Sequence, residues 1–387
     1  MIQRKLYPGD VFAGQILPWD VFNGRGTLLL SKGQTVQSDE QIRRLHKEGM
    51  YVEVEQVWHQ DPGSVLQHIL HACWRMETIL LRPESTPQFV DAVSQIADMI
   101  GAAARKAPDV VVATVVLRQG GRYAVRHVID VTSIVACVLD NIGVGPEQMR
   151  PLLCAALTMN ISAMDLHETL AHQASPLTPS QEARIQNHPL ASAERLRKLG
   201  VANEAWLAAV AQHHESFAGN GYPRRLRQEQ ISDGAQLIGL ADLFCARVRE
   251  RDYRRADSTR MVLRDILIER GRNYDSRLAA YFIRSLGVYP SGTLVLLANS
   301  EIGVVRSRTD KIDAPWVSLL ATRDGKMQVT GEFCDTRTPG CEIVDVMSPL
   351  QHVFDIDMEL IWGSDARDFS LAEREGQLFN MQQAASV

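Results

Sequence analysis

The sequence predicts a mainly α protein: an all-α helical domain preceded by a small α+β module and followed by a small β appendage. Three observations carry this reading. Apolar residues recur at helical spacing between residues 63 and 286, hairpin-type turns cluster before residue 58, and short β-like runs begin at Val288. The chain divides accordingly into an N-terminal module at 1–58, a helical linker at 59–105, the helical domain at 106–286, a β-rich appendage at 287–350 and a tail at 351–387. A chain of 387 residues has room for two or three domains at roughly 100–200 residues each.

Pro8-Gly9 opens the module, Asn23-Gly24 is a hairpin-type turn before a strand at 27–30, and Lys32-Gly33 is another turn. A helix is expected from Ser38, with Asp39 and Glu40 in its first turn, Ile42 and Leu45 on its apolar side and a break at Gly49. Tyr51-Val52-Glu53-Val54 alternates as a strand does. In the linker, Val65, Ile69, Leu70 and Cys73 mark one helix and Val93, Ile96, Met99 and Ile100 a second, with Pro83 and Pro87 at the break. The helical domain is punctuated at Gly143, Gly145, Pro176 to Pro179, Gly200 and Gly219 to Pro223, and Thr178 followed by Glu182 approximates an N-terminal cap. After the turn Tyr289-Pro290-Ser291-Gly292, the runs 293–297, 303–305 and 316–320 read as short strands. The tail is polar from about residue 364.

The apolar fraction of 45% and charged fraction of 22% are those of an ordinary globular protein. A net charge of -5 gives no reason to expect a nucleic-acid polymer as partner. None of the cysteines Cys73, Cys137, Cys154, Cys245, Cys334 and Cys341 forms a C-x-x-C pair. Several sit in apolar helical patterns, as buried reduced thiols do, and Cys334 and Cys341 are expected to stay unbridged. The N-terminus lacks the apolar core of a signal peptide. The longest apolar run, 110–117, is interrupted by Thr114 and falls well short of a membrane span of ~20 residues. These features point to the cytoplasm.

The most specific string is His213-His214-Glu215-Ser216-Phe217-Ala218-Gly219-Asn220-Gly221-Tyr222-Pro223. Further segments accompany it: Arg126-His127-Val128, Asn187-His188-Pro189, Ala241-Asp242-Leu243-Phe244, Arg251-Asp252-Tyr253-Arg254 and the junction from Leu286 to Gly292. Together they resemble the HD-GYP family, a subgroup of the HD-superfamily metal phosphohydrolases whose members act on cyclic di-GMP. The resemblance covers nearly the whole chain, including residues 6 to 54. It implies metal ligands at His127, His188, His213, His214 and Asp242, phosphate contacts at Arg251 and Arg254, and a partner-facing loop at Gly219, Gly221, Tyr222 and Pro223. It further implies a divalent metal (iron, manganese or zinc), cyclic di-GMP or a related cyclic dinucleotide as ligand, and diguanylate cyclase domains as protein partners. The underlying chemistry is metal-assisted hydrolysis, in which metal ions activate a water and offset charge on a phosphodiester.

The chain departs from the family pattern where that chemistry is centred. Met159 stands at the position of the name-giving histidine, Asn160 at that of the aspartate that bridges two metals, and Ala163 at that of an assisting lysine. Ala218 replaces an acidic residue, Tyr123 a glutamate and Ser192 a glycine. An amide has the shape of a carboxylate without its charge, and it cannot give one oxygen to each of two ions. A thioether is a soft ligand, ill-suited to an oxygen-rich centre. The expectation is therefore a degenerate member, a pseudoenzyme or weakened enzyme with one metal or none. It would act through a partner or a bound nucleotide, the alternative being a phosphodiesterase working from a reduced metal site.

Plainer explanations exist for each residue. A histidine on an apolar helix is usually a satisfied core or surface group, Asp242 could cap locally, and the run from Arg247 to Arg255 could be a solvated helix end rather than a phosphate fork. His167 and His172 follow the degenerate pair and are expected to be surface residues of a loop rather than replacement ligands.

Overall fold

The computed structural model describes residues 2–5, 17, 20–23, 27–31, 33–38, 40–41, 51–54, 63–118, 121–249, 256–321, 332–347 and 356–368. Two compact units separate, one built on the residues before 62 and the other on 63–118 and 123–367.

The smaller unit is an antiparallel sheet of β1 (Ile2–Lys5), β2 (Val21–Phe22), β3 (Leu28–Leu30) and β4 (Tyr51–Val54), in the order β1-β4-β2-β3. Asn23 closes the β2–β3 turn as its sequence suggests. Its Oδ1 accepts from the Thr27 amide at 2.9 Å while its own amide donates to the Thr27 carbonyl at 2.8 Å. The helix expected from Ser38 begins as read, with Glu40 and Gln41 helical and the Gln41 amide donating to Ser38 Oγ at 3.2 Å. Its positions Ile42, Leu45 and Gly49 lie outside the described residues.

The larger unit is built on helices α1 (Val65–Leu81), α2 (Phe89–Lys106), α3 (Pro108–Leu117), α4 (Tyr123–Asn141), α5 (Pro146–Thr158) and α6 (Met164–His172). These are followed by α7 (Pro179–Lys198), α8 (Glu204–Gln212), α9 (Asp233–Val248), α10 (Thr259–Glu269) and α11 (Ser276–Leu286). A continuous apolar core runs through its helices. Ile69 and Met76 of α1, Ile96 and Ile100 of α2, Ile129 and Ile134 of α4, and Phe244 and Phe282 of α9 and α11 are almost wholly buried in it. Helix α4 is the axial element: from Ala124 to Leu139 every residue is buried, so its polar groups must find partners inside the protein. Helix α7 starts at a capping box, but the partner of Thr178 is Gln181 rather than Glu182, because Gln181 occupies the third helical position where a side chain reaches back to the cap amide.

The expected strands appear as β5 (Leu294–Leu297), β6 (Ile302–Ser307) and β7 (Trp316–Ala321), joined by β8 (Phe333–Asp335) and β9 (Ile343–Val346) in the order β8-β7-β6-β5-β9. Both faces of this sheet are covered. Val295, Leu297, Val305 and Val317 pack on one side and Leu294, Val304 and Leu320 on the other, the latter with Ile361 of α12 (Met358–Trp362). Part of the segment read as tail is thus ordered. Ser64 Oγ donates to the Arg367 carbonyl at 2.5 Å, and Met358 and Ala366 are buried. All the cysteines are free thiols, with Cys137, Cys154 and Cys245 buried. Among the described residues no helix is long and apolar enough to cross a membrane.

Candidate metal centre

Helices α4, α7, α8 and α9 bring together the side chains the motifs single out. His188 lies within α7 and is followed by Pro189. A proline has no amide hydrogen, so the carbonyl four residues earlier loses its helical donor. That carbonyl belongs to Ile185, and His188 Nδ1 takes it at 2.7 Å. His213 sits at the C-terminal end of α8, where the last carbonyls are also left over, and its Nδ1 meets the Val210 oxygen at 2.7 Å. Both rings therefore donate through Nδ1–H and point Nε2 lone pairs at each other, 3.2 Å apart.

Two neutral acceptors at that distance repel unless a cation stands between them. Protons are disfavoured there. Burial, then the charges of His213, His214 and His167, hold His188 far below the ordinary imidazole range, and burial lowers His213 as well. His214 is pushed down to about 3 by burial and by His213. Ligand nitrogens at ~2.0–2.1 Å on a tetrahedral ion lie roughly 3.3 Å apart, so the observed spacing suits a shared metal. A histidine whose far nitrogen is anchored to a carbonyl is also the usual form of a metal ligand. One ligand atom from each of His188, His213 and His214 falls within 4.8 Å of the others.

His127 and Asp242 form the other half. His127 Nε2 meets Asp242 Oδ1 at 2.6 Å, and Asp242 Oδ2 lies 3.7 Å from His214 Nδ1. Burial opposes ionisation of Asp242, but the hydrogen bond from His127 and the surrounding imidazoles outweigh it and hold the carboxyl well below its usual range. Tyr123 stacks on His127, centroids 5.8 Å apart and planes within 7°. The expected ligands therefore meet in two groups, a histidine trio and a closed His127–Asp242 pair.

Met159 and Asn160 follow the end of α5 and are buried. Asn160 Oδ1 is buried without a hydrogen-bond partner, while the Asn160 carbonyl accepts from the Ala163 amide at 2.8 Å. Ser162 ties the segment to α7. Its hydroxyl donates to the His188 carbonyl at 3.1 Å, and its amide donates to Ser192 Oγ at 3.2 Å. Ser192 thus clamps the segment after α5 to the His188 helix.

The loop after His214 is built around Glu215, whose carboxylate accepts the amides of Arg224 at 2.7 Å and Leu226 at 2.9 Å. Gly221 is obligatory, since a Cβ there would lie 2.4 Å from the Ser216 amide nitrogen and 2.5 Å from the His214 oxygen. Gly219 has φ +79° and packs under Arg227, and Pro223 is half-buried. Tyr222, assigned by the resemblance to a partner-facing loop, is half-buried with its ring 4.6 Å from that of His214. The Tyr222 amide, bonded to the His214 oxygen at 3.1 Å, folds it back. Ala218 is exposed at the loop tip.

Two features escaped the sequence reading. Asp130 accepts from Arg126 at 2.9 Å and from Arg249, all three buried, joining α4 to α9. The Arg-x-x-x-Asp spacing on one helix was the available signal. His167 is not in a loop but on α6, with its ring edge-on to His188 at 5.5 Å. His172 is exposed at the end of the same helix, and Arg251 and Arg254 lie outside the described residues.

Comparison with known proteins agrees with this architecture. The family pattern described as HD domain matches residues 96–278. Cyclic di-GMP phosphodiesterase PA4108 of Pseudomonas aeruginosa is 23% identical over 281 residues, covering 71% of this chain and 68% of that protein. The cyclic di-GMP phosphodiesterase response regulator RpfG of Xanthomonas campestris is 25% identical over 43% of this chain and 44% of its own length. In structure, the chain is similar to Bd1817, a HDG"Y"P protein from Bdellovibrio bacteriovorus, with a TM-score of 0.54 at 14% identity, covering 73% of this chain and 98% of that one. The helical unit is an HD domain. Over its helical part the chain is similar to these cyclic di-GMP phosphodiesterases, with residues 96–278 falling in the HD domain pattern.

Proposed function

We propose that this protein is a cytoplasmic cyclic di-GMP-related signalling protein that binds a cyclic dinucleotide or a protein partner, holds at most one metal ion at His188, His213 and His214, and hydrolyses little or nothing. The observation that carries this is Asn160, a buried amide where two metals need a shared carboxylate. An uncharged carbonyl oxygen ligates one ion and does not offset the repulsion between two. The pairing of His127 with Asp242 at 2.6 Å supports the same reading, because it commits a carboxylate oxygen to an imidazole. Even an outer partner of a metal ligand is worth about 10–100-fold in affinity or activity, so loss of the bridging carboxylate, the adjoining histidine and the lysine together leaves little hydrolysis. Arg251 and Arg254 are assigned to the ligand phosphates on their residue type, and the Gly219–Pro223 loop to a diguanylate cyclase domain.

A second reading, a phosphodiesterase working from one metal, is favoured by the preformed histidine trio. The test is metal content and cyclic di-GMP hydrolysis of the natural chain and of the variant combining Met159→His, Asn160→Asp and Ala163→Lys. The proposal expects one ion or none with negligible turnover in the first and a gain of both in the second. Robust turnover by the natural chain that disappears in His213→Ala would establish the second reading instead.

A further inference from the structure

The loop that leaves the histidine trio carries a charge that its surroundings do not neutralise. From Ser216 to Gln228 there are three arginines, Arg224, Arg225 and Arg227, and no aspartate or glutamate, in a chain whose acids outnumber its lysines and arginines by 46 to 41. The flanking acid, Glu215, is buried, and its two oxygens are taken by the Arg224 and Leu226 amides. All three arginines are exposed, and among the described residues none of their guanidinium groups meets a carboxylate. Other exposed arginines are held in ion pairs, as Arg184 is with Asp165 and Arg277 with Asp233. Arg272, also exposed and unpaired among the described residues, stands on the adjoining turn, where the Asn273 carbonyl accepts from the Phe217 amide at 3.1 Å.

The backbone holds the loop in a fixed arrangement. Glu215 grips the amides on either side of Arg225, and the Tyr222 amide is tied to the His214 oxygen at 3.1 Å. Arg225 has φ +56° and Gln228 φ +49°, the left-handed region that favours glycine. Other residues persist there only where the surroundings dictate the backbone. A surface already ordered in this way gives up little conformational freedom on binding. Exposed guanidinium groups on a turn suit the carboxylates of a protein surface, each fork taking one of them. A small anion instead needs several donors converging on it from a concave site.

We propose that Arg224 and Arg225 dock the carboxylates of an acidic surface on a partner protein, beside the Gly219–Pro223 loop. This rests on the reading of that loop as partner-facing, and adds the chemistry it recognises. Arg227 and Arg272 strengthen the same local field. The chain as a whole has a net charge of -5 and repels an acidic partner on average. A basic loop on such a surface fixes where the partner lands and in which orientation.

The experiment measures binding of the full chain to purified diguanylate cyclase domains across a salt series, by biolayer interferometry. It compares the natural chain with Arg224→Gln combined with Arg225→Gln, with Lys at both positions, with Arg225→Gly, with Tyr222→Ala and, as a control, with Arg184→Gln. The natural chain and Arg184→Gln are expected to bind alike, more weakly as salt rises. The double Gln variant should bind at least about 10-fold more weakly with a shallower salt dependence, and the double Lys variant should keep the salt dependence. Arg225→Gly should melt no lower than the natural chain and yet bind more weakly, a combination that a merely structural arginine would not give. Equal affinity and salt dependence in the natural chain and the double Gln variant, with loss in Tyr222→Ala, overturns the role of the arginines and leaves the partner-facing loop standing. No binding by the natural chain overturns both. Cyclase binding unchanged while cyclic di-GMP binding or self-association is lost in the double Gln variant assigns the arginines to a small anion or a second copy, and overturns the proposal.

Discussion

His188 and His213 show how a residue's chemistry is set by its neighbours. Pro189 and the end of α8 each release a carbonyl, and that carbonyl fixes which ring nitrogen faces the centre. The string Asn187-His188-Pro189 could therefore be read with its mechanism from sequence alone. The approach of His167 to His188 could not, because only the turn of α6 brings the two rings together. Gly221→Ala is expected to destabilise the protein by more than about 2 kcal/mol, since the added Cβ meets backbone rather than a yielding side chain. Thermal melting measures this. His71 supplies a pH dependence. Burial, then Arg75 and His68, lowers its pKa from 6.5 to about 4. The folded state thus prefers the neutral ring, and the unfolded chain takes up more protons between those values. This stability is complete above pH 6.5, is lost as pH falls toward 4, and is on the order of 3 kcal/mol in total. Urea midpoints of metal-free protein should fall between pH 7.5 and 5, and fall less in His71→Leu.

At the scale of elements, α4 and α9 hold His127 and Asp242 in register through a second connection, the buried ion triad at Asp130. Removing Asp130 strands two guanidinium groups away from water. Asp130→Ala is therefore expected to cost about 3–5 kcal/mol, whereas Arg184→Ala at an exposed pair should cost no more than about 1 kcal/mol. Chemical denaturation of the two variants tests the contrast. Helix α9 also approaches the end of α8 closely, since a Cβ on Gly239 would lie 2.6 Å from the His213 oxygen. Gly239→Ala should push His213 aside and weaken metal binding even where the fold survives, as a metal titration would show. Most helices were legible because their apolar periodicity is long. Strands β8 and β9 were not, because each is short, half-exposed and paired at a sheet edge.

Over the whole chain, residue order reveals the succession of classes, sheet then helices then sheet, but not where the chain returns. Residues 356–368 read as part of a polar tail, yet Ile361 fills the second face of the C-terminal sheet beside Leu294, Val304 and Leu320. A contact between segments so far apart leaves no periodic trace. Ile361→Ala should cost about 2–5 kcal/mol, measured as a loss in melting temperature with the histidine centre unaffected.

The Tyr222 ring resting on His214 joins the loop to the centre in one further sense. Whatever lifts that ring changes the surroundings of His214, and whatever fixes His214 changes how readily the ring can leave. Free-energy linkage is symmetric: if an occupant of the loop alters metal affinity by some factor, the metal alters affinity for that occupant by the same factor. A protein with no turnover at all would then still register metal supply and partner supply jointly, through two rings in contact.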